Sequence, residues 1–200
     1  MTLELGGEIG ENRSVLHQSG NWRMPQSIEE FLNSLAFYSH RVPLAELTRR
    51  LEDLVIELDD VRDYLVFGQE HYRRNLMRAG PAFHALILCW RAGQRSPIHD
   101  HRGSSCAVRV LKGVATETQF EQTRDGLIYP TLTRKMPAGS VCASQDSDVH
   151  QMSNLQSGLD LVTLHIYSPP LLVMGQYSMT ASTVAEFADP IFDFALGGGI

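Results

Sequence analysis

A change of texture at Gly80-Pro81 constrains the fold more than any other feature of this 200-residue sequence. Before it, apolar residues recur with a helical period. Ser27 stands where an N-cap for SIEEFLNSLAFYS is needed, and Glu30, three residues on, completes a capping box. Leu44 to Leu58 (LAELTRRLEDLVIEL) carries apolar residues at 44, 47, 51, 54, 55 and 58, the spacing of an amphipathic helix. Asp60 is expected to cap a third, short helix running through Val66. The first 80 residues therefore read as mainly helical, with a lobe over about 20–80. The first ~20 residues, polar and containing glycines, read as loosely held.

Beyond Gly80-Pro81 the runs are short and β-rich: HALILCW, AVRVLKG, VATETQFEQ, IYPTLTRKM, SVCASQ and LDLVTLHIYS. Turn residues punctuate them: Ala-Gly at 92–93, Asp-Gly at 125–126, Pro-Ala-Gly at 137–139 and Ser-Gly at 157–158. Short strands at such spacing predict an antiparallel sandwich or barrel. The expected fold is mainly β, a small barrel with helices packed on its N-terminal side. It forms a single domain over 1–200, with the barrel at about 81–170 and a C-terminal extension at 171–200.

Charge and cysteine content exclude some roles. A net charge of −6 leaves no basic stripe to displace counterions from phosphates, so no nucleic-acid partner is expected. No apolar run approaches the roughly 20 residues that a membrane span requires, and no secretory signal is visible. Three scattered cysteines, Cys89, Cys106 and Cys142, are too few for a disulfide scaffold. The expectation is a soluble, cytoplasmic monomer.

The stretch SPIHDHRGSSC, residues 96–106, carries the densest chemistry. His99 and His101 are two apart, so on a strand they share a face and Asp100 turns away. Two imidazoles on one face can chelate a metal, or can simply be polar residues at a strand end. The wider spacing decides more. Gly93, five residues, His99-x-His101, four residues, Cys106, six residues, Gly113 resembles the first cupin motif. Pro137-Ala-Gly139 and His150-Gln-Met-Ser-Asn154 resemble the second, with a longer gap before the histidine. Cupins are double-stranded β-helix barrels (jelly rolls) that hold a metal inside. By that resemblance His99, His101 and His150 would be the ligands. The usual cupin glutamate is replaced here by Cys106. Three imidazoles suit Fe, Zn, Cu or Ni better than Mg or Ca.

Further matches lie in the same order from about residue 70 to 170: Tyr72-Arg-Arg-Asn75, LILCW ending at Trp90, HDHRGSSC, LKGVATETQF and TLHIYSPP. Together they resemble the cysteine dioxygenase family. The resemblance implies a non-haem Fe(II) enzyme that oxidises L-cysteine with O2 to cysteine sulfinic acid, and so commits cysteine to catabolism. It implies that Arg74 binds the substrate carboxylate and that Tyr72 lines the same pocket. The other possibility for Arg73, Arg74 and Arg78 is a solvated helix face. Tyr167 would point its hydroxyl at the iron site, oriented by His165, with Thr163 where relatives have serine. Cys106 matches a cysteine that many members join to that tyrosine by a thioether bond. Cys89 and Cys142 are expected in the core. Met174 stands where relatives often have a cysteine near the pocket mouth.

Two alternatives remain open at this point. One is a dioxygenase for another small thiol such as 3-mercaptopropionate, although members acting on it tend to carry Gln where Arg74 stands. The other is a non-enzymatic metal-binding cupin acting as a sensor, for which no helix-turn-helix signal is present.

Overall fold

The computed structural model describes residues 26–146, 148–193 and 198–199. The N-terminal ~20 residues discussed above lie outside them. Helix α1 (Ile28–Leu35) begins with the expected capping box: Ser27 Oγ accepts from Glu30 N at 3.3 Å, and Ser27 N donates to the Glu30 carboxylate at 2.9 Å. Helix α2 (Leu44–Asp53) is shorter than its apolar period suggested, because the chain turns extended at Leu54. Arg109 closes that end by donating to the carbonyls of Leu51 and Leu54, two of the acceptors a helix C-terminus leaves unpaired. A 3-10 helix follows at Leu58–Tyr64. Asp60 sits in its third position rather than at its N-cap, accepting from Glu57 N at 2.8 Å.

The helical segment ends there, short of residue 80. Residues Arg73–Gly80 form strand β1, followed by β2 (Phe83–Trp90), β3 (Ile98–His99), β4 (Ser105–Lys112), β5 (Val114–Gln122) and β6 (Ile128–Pro137). Then come β7 (Val141–Gln145), β8 (Val149–Ser153), β9 (Leu161–Ser168), β10 (Met174–Tyr177), β11 (Ala185–Phe187), β12 (Ile191–Asp193) and β13 (Gly198–Gly199). One sheet runs in the order β13-β12-β1-β2-β9-β4-β7, the other β11-β10-β3-β8-β5-β6. Their pairings are antiparallel except for β12, which lies parallel to β1. Two facing sheets of this order form the mainly β, jelly-roll barrel that the sequence led one to expect. The last segment is built into it, since β10 extends the second sheet beside β3 and β12 extends the first beside β1.

Strand alternation divides the apolar residues into two cores. From β2, Phe83, Ala85, Ile87 and Cys89 face outward and meet Phe31, Leu32, Leu35, Leu47 and Leu51 of the helices. Leu86, Leu88 and Trp90 of the same strand face inward with Val108, Val110, Met136 and Met152. Burial on both faces explains why HALILCW reads as a continuous apolar run. Strand β9, between β2 and β4 in the first sheet, is buried at all eight positions, and its inward set is Leu161, Thr163, His165 and Tyr167. Gly113 makes the turn from β4 to β5 at φ +83°, where an added Cβ would lie 2.8 Å from the Asp160 carbonyl. That position of the motif needs glycine for both reasons.

Candidate metal centre and its pocket

His99 on β3 and His150 on β8 are directly paired across the second sheet, although 51 positions separate them in sequence. His101 follows β3, and Asp100 between the two histidines turns away as alternation requires. Asp100 accepts from Gly175 N at 2.8 Å and from the Tyr177 hydroxyl at 2.9 Å, which pins this segment to β10. Gly175 permits the approach, because a Cβ there would stand 2.7 Å from Asp100 Oδ2. One ring nitrogen from each of His99, His101 and His150 lies within 4.8 Å of the others, and all three residues are buried.

Neighbours set the ring protons. His99 Nδ1 is 3.0 Å from the Pro97 carbonyl, which can only accept, so Nδ1 carries the hydrogen. His150 Nδ1 is 2.9 Å from Glu117 Oε1. Burial favours the protonated acid at Glu117, but the His150 hydrogen bond and the Arg134 guanidinium, 2.5 Å away, outweigh it and hold the carboxyl below its ordinary range. It too accepts. His101 Nδ1 lies 3.3 Å from Ser144 Oγ, and its buried Nε2 has no hydrogen-bond partner in the protein. The Nδ1 atoms of His99 and His150 are thus anchored as donors, and with Ser144 accepting from His101 Nδ1 all three Nε2 lone pairs are available to a metal, the arrangement a metal-binding histidine requires. Burial, reinforced by the neighbouring His150, lowers His99 to about 3 and His101 well below its ordinary value. Neutral imidazoles are the ligand state, so this donor set fits a borderline divalent metal.

A second line of side chains faces the histidines from β9. Trp90 Nε1, which can only donate, reaches Thr163 Oγ1 at 3.1 Å. Thr163 Oγ1 lies 2.9 Å from His165 Nε2, and His165 Nδ1 is 3.2 Å from the Tyr167 hydroxyl. A neutral His165 can accept the threonine O–H at Nε2 and donate its Nδ1–H to the Tyr167 oxygen. Burial, followed by the Arg74 charge, keeps His165 neutral, as this direction demands. Tyr167 is left with its own O–H to offer the pocket. Burial and then the adjacent Cys106 raise the phenol well above its ordinary range, so it is a donor.

Arg74 lies on β1 with its side chain inward and 1% exposed, while Arg73 turns outward over the Phe192 ring at 3.8 Å. The arginines therefore belong to a strand, not a helix face. Arg78 lies far from the site and bonds Glu29 and Asn33 of α1. The Arg74 guanidinium stands 5.5 Å over the Tyr167 ring. Tyr72 stacks on Trp90 with centroids 4.1 Å apart. Cys106 on β4 is the cross-strand partner of Tyr167, and burial raises its thiol well above the usual range. Cys89 and Cys142 are buried in the two cores, as expected.

All eight residues singled out in the sequence (Tyr72, Arg74, His99, His101, Cys106, His150, His165 and Tyr167) line one small cavity inside the barrel. Met174 lines it too. Sequence reasoning missed Glu117, Ser144, Trp90 as a donor, and Asp189. Glu117 lay in plain view as an acid within the alternating VATETQFEQ. Nothing local marks Asp189, which reaches the cavity from the C-terminal segment and accepts from the Tyr72 hydroxyl.

The family model described as Cysteine dioxygenase type I matches residues 37–180. Cysteine dioxygenase type 1 of Danio rerio is 30% identical over 154 residues, covering 73% of this chain and 76% of that one. The Rattus norvegicus protein of the same name is 34% identical over 111 residues, covering 54% and 56%. Among solved structures, TT1209 from Thermus thermophilus aligns with 57% of this chain and 99% of its own, at 15% identity and a TM-score of 0.48.

Proposed function

This chain belongs to the cysteine dioxygenase type I family, and from that premise we propose that it oxidises L-cysteine with O2 to cysteine sulfinic acid, holding Fe(II) on His99, His101 and His150. The observation that carries the reading is the convergence of three buried imidazoles opposite a buried guanidinium and a directed tyrosine, in one small cavity. Bound Fe(II) would supply a redox centre that accepts the thiol as thiolate and lets O2 react with it despite the spin mismatch. The thiol and O2 give the sulfinic acid with no other reactant, both oxygens ending on sulfur as sulfur loses four electrons and O2 gains them. This is the stage at which thiol oxidation becomes essentially irreversible.

The protein's own groups have distinct tasks in this reading. Arg74 grips the substrate carboxylate, since a guanidinium pairs with it in a planar fork. Tyr167 donates a hydrogen bond toward the reacting atoms, held in direction by His165 and Thr163. Cys106 bonds its sulfur to the Tyr167 ring carbon beside the hydroxyl. The S–H and ring C–H hydrogens leave as two protons with two electrons, which O2 takes up. Such a link fixes the phenol and lowers its pKa. The buried walls keep bulk water from the reaction. We also place the enzyme in the cytoplasm, in keeping with three buried, unpaired cysteines.

Oxygen uptake by the iron-loaded protein with L-cysteine, cysteamine and 3-mercaptopropionate, with the sulfinate quantified, tests the proposal. Cysteine should be the preferred substrate and yield one sulfinate per O2. Preference for 3-mercaptopropionate would move the substrate, and no turnover of any thiol would leave a metal-binding cupin.

A further inference from the structure

Arg74 already has a carboxylate beside it. Asp189 Oδ2 lies 3.9 Å from Arg74 Nε, and the Asp189 carbonyl accepts from Arg74 Nη1 at 2.7 Å. The same carboxylate accepts the Tyr72 hydroxyl, so it stands against both the guanidinium that the proposed function assigns to the substrate and the tyrosine that lines the same pocket. Among the described residues lining the cavity, Asp189 is the one acid and Arg74 the one guanidinium. A substrate carboxylate arriving at Arg74 would put two negative charges on one positive charge in a site shielded from water. Two carboxylates sharing such a site cannot both stay ionised there. Burial already lifts Asp189 above its ordinary range even with Arg74 beside it.

A place for the displaced group exists next door. Asp189 and Tyr72 also line a larger, more open outer cavity whose walls carry Arg73, Arg95 and His71. Alternation on β1 sends Arg74 inward and Arg73 outward, so Asp189 stands between an inner and an outer cation. Arg73 Nε is buried and has no hydrogen-bond partner. Asp189 lies in a three-residue connection, Ala188-Asp189-Pro190, between β11 and β12.

We propose that Asp189 is a carboxylate latch: it holds Arg74 and Tyr72 in the free protein, yields them to the carboxylate of an incoming thiol, and turns outward to Arg73 and Arg95. This rests on Arg74 binding the substrate carboxylate. The latch makes Asp189 a specificity-determining residue. Thiols with a carboxylate must displace it, whereas cysteamine, which has none, leaves it in place.

The test is binding to the iron-loaded protein without O2, followed by calorimetry, with L-cysteine, 3-mercaptopropionate and cysteamine as probes. Asp189→Asn keeps the shape and an acceptor for Tyr72 but removes the charge. It should bind both carboxylate thiols about tenfold more tightly, a change of roughly 1.4 kcal/mol, and cysteamine within about twofold of wild type. Asp189→Ala should shift in the same sense, and thermal melts would verify that both variants fold. Weaker cysteine binding in Asp189→Asn, or equal tightening for all three thiols, would overturn the latch. Arg74→Ala separates the two ideas. If it loses cysteine binding while Asp189→Asn gains none, the latch alone fails; if it binds cysteine like wild type, the reading of Arg74 fails and the latch with it.

Discussion

Cys106 and Tyr167 face each other as cross-strand partners on β4 and β9, both side chains directed into the barrel and both buried. Directly opposed residues of an antiparallel pair hold their Cβ atoms about 4.5–5.5 Å apart, within reach of a bond between sulfur and ring. After turnover with cysteine, iron and O2, peptide mapping should find the Cys106 and Tyr167 peptides joined with the loss of two hydrogens. Cys106→Gly should keep its iron and measurable activity, because Cys106 is neither ligand nor nucleophile. A Cys106 that stays fully alkylatable after many turnovers would remove the crosslink and leave the oxygenation chemistry intact.

The three histidines should act as a unit. Iron analysis should return about one metal per chain, and Ala at His99, His101 or His150 should abolish both iron content and thiol oxidation. If a zinc-loaded, iron-free form oxidised thiols as fast, the redox role of the metal would be wrong.

Glu117 aims His150 and is itself held by Arg134. Loss of an outer partner of a metal-binding histidine typically costs about 10–100-fold in metal affinity. Glu117→Ala should fall in that range, measured by competition with a chelator. Glu117→Gln keeps an acceptor for the His150 N–H and should lose less. Equal affinities for all three proteins would mean that Glu117 serves only the ion pair with Arg134.

Arg74→Ala should remove about 2–5 kcal/mol from binding or transition-state stabilisation of a substrate whose carboxylate would be left unpaired. The preference for cysteine over cysteamine, measured as the ratio of kcat/KM values, should collapse. An unchanged ratio would take Arg74 out of the substrate site.

Gly175→Ala tests the clamp behind the histidines. The new Cβ would stand 2.7 Å from Asp100 Oδ2, and moving that carboxylate away would strain its hydrogen bonds from Gly175 N and the Tyr177 hydroxyl. Overpacking of this kind costs about 1–3 kcal/mol. The variant should show a lower Tm and weaker metal retention, since Asp100 sits between His99 and His101. A Tm and metal content equal to wild type would show that β10 can shift freely.

Much of this protein was legible along the chain because the signals are local. The capping box of Ser27 and Glu30 needs one turn of helix. VATETQFEQ is a strand over its whole length, since alternation is a property of neighbouring residues. His99 and His101 could be assigned to one face for the same reason. The motif glycines at 93, 113 and 139 all take positive φ, so their spacing encodes turns. What tertiary structure decided depends on register between distant strands. RRNLMRAG has no clear alternation, and only pairing with β2 and β12 makes it a strand that turns Arg74 inward. His150 becomes the neighbour of His99 through the β3–β8 pairing, and Glu117 reaches His150 because β5 lies on the other side of β8. Asp189 enters the cavity because β12 returns parallel to β1. A periodic pattern shows which way a side chain faces, but not which distant side chain it faces; that is set by sheet order and register, which the whole chain determines together.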